Sequence, residues 1–168
     1  MSQGASPEHV AAFLNNHYFT PMGEIAYRFK GTVDKHIGDS IMVVYGCPVQ
    51  HDDDALSAVR SAMEMQRKAR EINGSLETGN GLKVKTGIGI TTGDVFSGII
   101  GSLRKKEFTS IGMPVNIAAR LQQFAKEGEI LIAEETYEKV SDHIEATALP
   151  PVTVKGVDRP IPIYSVLN

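Results

Sequence analysis

Ile41-Met42-Val43-Val44-Tyr45 is an unbroken apolar run of five residues, closed in front by Gly38-Asp39-Ser40 and behind by Gly46. It is too short to cross a bilayer and too short for an amphipathic helix, so it predicts a strand with both faces covered, in the middle of a sheet. Thr32 to Ile37, rich in β-branched residues, lies on the other side of the Gly-Asp turn, and the two arms read as a hairpin. The preceding segment has a different period. Val10, Phe13, Leu14, Tyr18, Met22, Ile25, Ala26 and Phe29 recur at helical spacing, opened by a capping Ser6 with Pro7 at the first helical position and closed by Gly31. Pro21 lacks an N–H inside this pattern, which predicts a kink or break near His17 to Thr20.

After the apolar run, Asp52-Asp53-Asp54 suits a helix start through the dipole, and Ala55, Val59, Ala62, Met63, Gln66, Ala69 and Ile72 form one helical face. Gly74 to Gly81 reads as a polar loop. Leu82 to Ile90 reads as a strand that turns at Thr91-Thr92-Gly93-Asp94 into a second arm, Val95 to Ile100. A charged loop at Arg104 to Glu107, a short strand at Phe108 to Ile111 and a helix from Pro114 to Phe124 follow. Glu129 to Ala133 reads as a strand, Glu134 to Val140 as a helix, and Ile144 to Leu149 as a strand. A last hairpin pairs Val152 to Val154 with Ile161 to Val166. Hairpins between helices predict an α+β fold, a mixed and mostly antiparallel sheet with helices on one face. The order resembles a ferredoxin-like βαββαβ unit whose first strand is missing.

The 168 residues suit a single domain over 1–168. A net charge of −3 gives no basic footprint for nucleic acid, and no aromatic pair has the spacing of an RNA-binding sheet. The one cysteine, Cys47, cannot form an internal disulfide, which fits a reducing compartment. No apolar run exceeds five residues, and Met1 to Pro7 has neither a basic region nor an apolar core. A cytoplasmic domain with no membrane insertion is the expectation.

Two places could carry chemistry. Asp39 at a hairpin tip is ordinary turn chemistry, or a carboxylate for a hard cation such as Mg²⁺. Lys35, on the strand before it, is by the plainer reading a solvated edge lysine. Asn116 and Arg120 stand four apart on one helix and share a face. That face is either solvated or aimed into a pocket, where Arg offers a planar fork to phosphate oxygens. Gly87, Gly89, Gly93, Gly98 and Gly101 do not open a helix and so are not a phosphate loop; close backbone packing explains them better. His51 before three aspartates reads as part of a helix cap, and Cys47 as a packed thiol.

Taken together, Gly31 to Gly46, Thr86-Gly87-Ile88-Gly89-Ile90 with Thr92-Gly93-Asp94, Phe108 to Gly112 followed by Val115 to Leu121, Gly128 to Ile132 and Val154-Lys155-Gly156 resemble the class III adenylate/guanylate cyclase catalytic domain. The likeness runs from about Pro7 to Leu167. It implies conversion of ATP, less readily GTP, to a 3′,5′-cyclic monophosphate and pyrophosphate, with Mg²⁺ or Mn²⁺ at a site formed across a head-to-tail homodimer. By resemblance, Asp39 is a metal ligand, Lys35 and Thr109 read the purine, Asn116 positions the ribose, Arg120 stabilises the reacting phosphate and Lys155 contacts the leaving phosphates. Threonine at 109 resembles the bicarbonate-responsive subgroup. Three departures stand out: the family's first strand, with its Phe-x-Asp metal ligand, has no counterpart before Pro7; Met113 replaces a small or polar residue; and Pro21 interrupts a helix that is normally proline-free. The first departure implies an N-terminally truncated, impaired enzyme. The alternative is a non-catalytic cyclase-homology module that binds nucleotide or a partner domain and regulates it.

Overall fold

The computed structural model describes residues 6–75 and 82–168, so the expectations for residues 1–5 and for most of the polar loop, residues 76–81, lie outside it. Helix α1 (Pro7–Phe13) starts where Ser6 accepts a hydrogen bond from the His9 N–H. The expected break is a π-helical segment, Leu14–Phe19, after which α2 runs Thr20–Arg28. The N–H and the hydroxyl of Thr20 both reach back five residues to the Asn15 carbonyl. Pro21 has no N–H and its ring would strike the carbonyl four residues back, and the wider turn just before it relieves both problems. The helix closes one residue earlier than Gly31 predicts: Lys30 takes the left-handed conformation, with φ 64°. Gly31 is needed for room instead, since a Cβ there would lie 2.8 Å from the Val43 and Tyr45 side chains.

Strands β1 (Thr32–Ile37) and β2 (Ser40–Val44) pair antiparallel, with Ile37 opposite Ser40 across the Gly38-Asp39 turn. Gly38 takes φ 61°, which a side chain disfavours. The central position predicted for β2 is not what the structure has. All five of its residues are half-buried, and among the described residues it pairs only with β1. An apolar run reports that faces are covered, not how many neighbours a strand bonds: Ile41 packs against the cluster of Met22, Ile25, Ala69 and Ile72.

Helix α3 (Asp54–Ser75) buries Val59, Ala62, Gln66, Ala69 and Ile72, largely the predicted face. Gln66 is buried but satisfied: its amide nitrogen donates to the carbonyls of Thr86 (3.0 Å) and Glu129 (3.3 Å), and its oxygen accepts from the Thr86 hydroxyl (2.8 Å). This fixes α3 against β3 (Ile88–Ile90), which runs parallel to β6 (Ile130–Ala133). The hairpin predicted around Thr91 to Asp94 is absent. Residues 82–87 are not strand, and β4 (Phe96–Gly101) pairs with β5 (Lys106–Ile111) across a turn at Ser102 to Lys105. Turn residues tell that the chain reverses, not which strand it pairs with. Likewise β7 (Ala146–Val152) pairs with β8 (Ile161–Val166), so that of the predicted segment Val152 to Val154 only Val152 belongs to the pairing, opposite Ile161. Its register slips between Leu149 and Val152, where Pro150 and Pro151 have no N–H to give.

The larger sheet has the order β3–β6–β8–β7, mixed and mostly antiparallel. Helices α4 (Met113–Phe124) and α5 (Glu134–Val140) fall where the sequence predicts. Alternation along β6 sorts its side chains: Ile130 and Ile132 meet Val59 and Ala62 of α3 and Val140 of α5, while Leu131 and Ala133 meet Ile117 and Leu121 of α4. The α+β class and ferredoxin-like order are as predicted. Among the described residues no helix is long and apolar enough to cross a membrane.

Candidate active site

Asp34 joins the two hairpins. It sits at a β-bulge between Val33 and Lys35, where β1 slips register against β2. A bulge bends its strand and re-aims a side chain, and this carboxylate points at β5. One oxygen accepts from the Thr109 hydroxyl (2.9 Å) and the other from the Ser110 N–H (2.8 Å). The Asp34 side chain is 2% exposed and Thr109 is 5% exposed. The Lys35 ammonium lies 3.6 Å from the same Asp34 oxygen that Thr109 bonds, and 3.4 Å from the exposed Glu107 carboxylate. Lys35 and Thr109, far apart in sequence, thus meet around one buried charge.

Asp39 stands exposed at the tip of the β1–β2 turn. The π-helical segment backs it: the Phe19 ring packs on His36 at 4.3 Å, and the Tyr18 phenol is pushed up to about 12 by burial first and by the negative charge of Asp39 second. A carboxylate oxygen suits a hard divalent ion. One is not a closed site, and among the described residues no group of three or more His, Cys, Asp or Glu side chains assembles. The donor fits in kind and not in number.

Helix α4 follows β5 directly through Gly112, with Pro114 in its first turn. Asn116 and Arg120 are both exposed, whereas Ile117 and Leu121 are buried. The Arg120 guanidinium donates to Gln123 (2.8 Å) and is otherwise open to solvent. Lys155 is exposed on the turn after β7. That turn abuts the start of α4, because a Cβ on Gly156 would lie 3.6 Å from the Met113 Cε. Met113 therefore packs against the loop carrying Lys155.

The structure brings together Lys35 and Thr109, and sets Asn116, Arg120 and Lys155 around α4. Among the described residues, Asp39 makes no hydrogen bond or ion pair with any of the other five. Between the hairpins lies a cavity of about 160 Å³ lined by Thr32, Asp34, Cys47, Phe108 and Ser110, among others. That is below the roughly 300 Å³ a small-molecule site needs. Asp34 is absent from the sequence-level candidates. The available signal was an aspartate inside a β-branched strand, where that residue type is depleted.

Residues 1–168 match the family described as the adenylate and guanylate cyclase catalytic domain. The chain is 34% identical to an adenylate cyclase of Anabaena cylindrica, over 99% of this chain and 34% of that protein. It is 29% identical to adenylate cyclase 1 of Rhizobium meliloti, over 100% of this chain and 25% of that protein. It thus spans about a third or less of these curated relatives. Among solved structures, the adenylyl cyclase CyaB from P. aeruginosa superposes with a TM-score of 0.92 at 32% identity, covering 99% of this chain and 86% of that one. The guanylyl cyclase Cya2 superposes with a TM-score of 0.90 at 35% identity, covering 98% and 83%. The chain belongs to the class III adenylate and guanylate cyclase catalytic domain family.

Proposed function

We propose that residues 1–168 form one nucleotidyl cyclase unit that converts ATP, in preference to GTP, to 3′,5′-cyclic AMP and pyrophosphate. The convergence of Lys35 and Thr109 on Asp34 carries this reading, because it makes a two-point hydrogen-bonding edge from a donor and a hydroxyl. Similar structures include both adenylyl and guanylyl cyclases, so base preference rests on these side chains. Lys35 donates to a ring nitrogen of the purine and Thr109 meets its exocyclic group. Asn116 orients the ribose, so that the 3′-hydroxyl gives its proton to water, its oxygen bonds to the α-phosphorus, and the bond from that phosphorus to the pyrophosphate oxygen breaks in line. Arg120 spreads its fork across the charge that grows on the phosphate, and Lys155 holds the leaving pyrophosphate. Asp39 would hold Mg²⁺ or Mn²⁺ through one carboxylate oxygen, together with further oxygen donors, and the ion would supply positive charge beside the phosphates.

A head-to-tail homodimer completes this reading. The β4–β5 hairpin exposes Phe96, Ile99, Leu103, Phe108 and Ile111, an apolar surface that water disfavours and a second copy would cover. Among the described residues no group of three or more His, Cys, Asp or Glu side chains assembles, and this favours a second reading, a nucleotide-binding module that regulates a partner without catalysis.

Product formation from Mn²⁺-ATP and Mn²⁺-GTP, with nucleotide binding measured in parallel, separates the two. The assay uses this chain and a version extended upstream. Cyclic AMP as the main product, with Arg120→Ala lowering kcat about 100-fold while nucleotide still binds, supports the cyclase. Nucleotide bound without product from either chain leaves the regulatory module.

A further inference from the structure

We propose that Asp34 is the positioning residue that makes this site choose its base, by holding the Thr109 hydroxyl hydrogen so that Thr109 can only accept. The proposal rests on the nucleotide-binding reading above.

A threonine hydroxyl alone discriminates poorly, since it rotates to give or take a hydrogen bond. Here it has no such choice. A carboxylate has no hydrogen to give, so the 2.9 Å bond between Thr109 and Asp34 runs in one direction. What Thr109 has left for a ligand is a lone pair. Lys35, an ammonium held 3.6 Å from the same carboxylate oxygen, offers only donors. The paired edge is therefore donor plus acceptor. Adenine presents the complement, an acceptor at N1 and a donor at its 6-amino group. Guanine in the same placement presents the reverse at both positions, a donor at N1 and an acceptor at O6.

Three features keep Asp34 in this role. The bulge aims its side chain at β5. Its second oxygen is fixed by the Ser110 N–H at 2.8 Å, so the carboxylate cannot turn away. Its side chain is 2% exposed, so water does not compete for the Thr109 hydrogen. Such a buried, one-way hydrogen bond costs most when a ligand leaves it mismatched. Lys35, by contrast, pairs both with Asp34 and with the exposed Glu107, and giving up the Glu107 side turns it to a ligand at little cost.

The test is the ratio of dissociation constants for non-hydrolysable ATP and GTP analogues, measured by competition, with melting temperature as a check on folding. Asp34→Asn keeps the shape and the Ser110 bond but lets an amide donate to Thr109, freeing its hydrogen for the base. Preference for ATP in the parent should fall about tenfold, the equivalent of one net hydrogen bond. Thr109→Val should lose the preference from the other side of the bond, even if Asp34→Asn fails to fold. Thr109→Ser should keep it. A melting temperature that drops in Asp34→Asn while the ratio holds would mean that Asp34 only ties the hairpins, and would overturn the proposal while nucleotide binding stands. No preference in the parent would overturn base selection by this edge. A parent that binds neither analogue would refute the proposed function, and this inference with it.

Discussion

Two phenols record how burial at a single residue becomes a property of the chain. Tyr18 and Tyr45 are both pushed from 10.0 up to about 12, in each case by burial first. A raised phenol pKa means the folded chain keeps its proton after the unfolded chain has lost it. The stabilisation is full below pH about 10, declines above it and is gone once the pH passes about 12. Thermal melts should therefore show a steeper loss of Tm between those values for the parent than for Tyr18→Phe or Tyr45→Phe. Parallel curves would mean that both phenols ionise freely in the fold. At this same scale lies the part of the site that the sequence hid. Lys35, Asp39, Asn116 and Arg120 can be picked out because each belongs to a short local pattern. Asp34 carries only its odd placement in a β-branched strand, because its partners are 75 and 76 residues away and its orientation depends on a bulge.

Among the elements, legibility follows locality. Helices α4 and α5 and the β1–β2 hairpin were readable to within a residue, since each is set by period, caps or a two-residue turn. The pairing of β3 with β6 was not, because nothing local marks it. The glycine series was readable in kind, and Gly89 shows why. A Cβ there would sit 2.4 Å from both the Ala118 carbonyl oxygen and the Gln122 nitrogen, so β3 and α4 touch backbone to backbone. Rigid backbone cannot yield as a side chain can. Gly89→Ala should destabilise the chain by about 2–3 kcal/mol or more, seen as a lower denaturation midpoint. Gly74→Ala, in α3 with nothing within 4 Å of the new Cβ, should instead gain about 0.5–1 kcal/mol. Equal effects at both positions would contradict the close packing of β3 on α4.

For the whole molecule, the exposed apolar hairpin is the feature that a single copy does not explain. Leu103 is 98% exposed and Ile99 71% exposed, on an arm that contributes little to the clusters around β6. If the proposed homodimer forms through this arm, Ile99→Asp with Leu103→Asp should leave melting nearly unchanged and raise the dimer dissociation constant by at least about tenfold, read by analytical ultracentrifugation. A dimer that persists unchanged would move the interface elsewhere. Strand β5 links that arm to the chemistry. Over four consecutive residues, Phe108 and Ile111 lie exposed while Thr109 and Ser110 between them are buried against Asp34. A partner that covered the outer pair would therefore sit one residue from the two hydrogen bonds that hold the inner pair to Asp34.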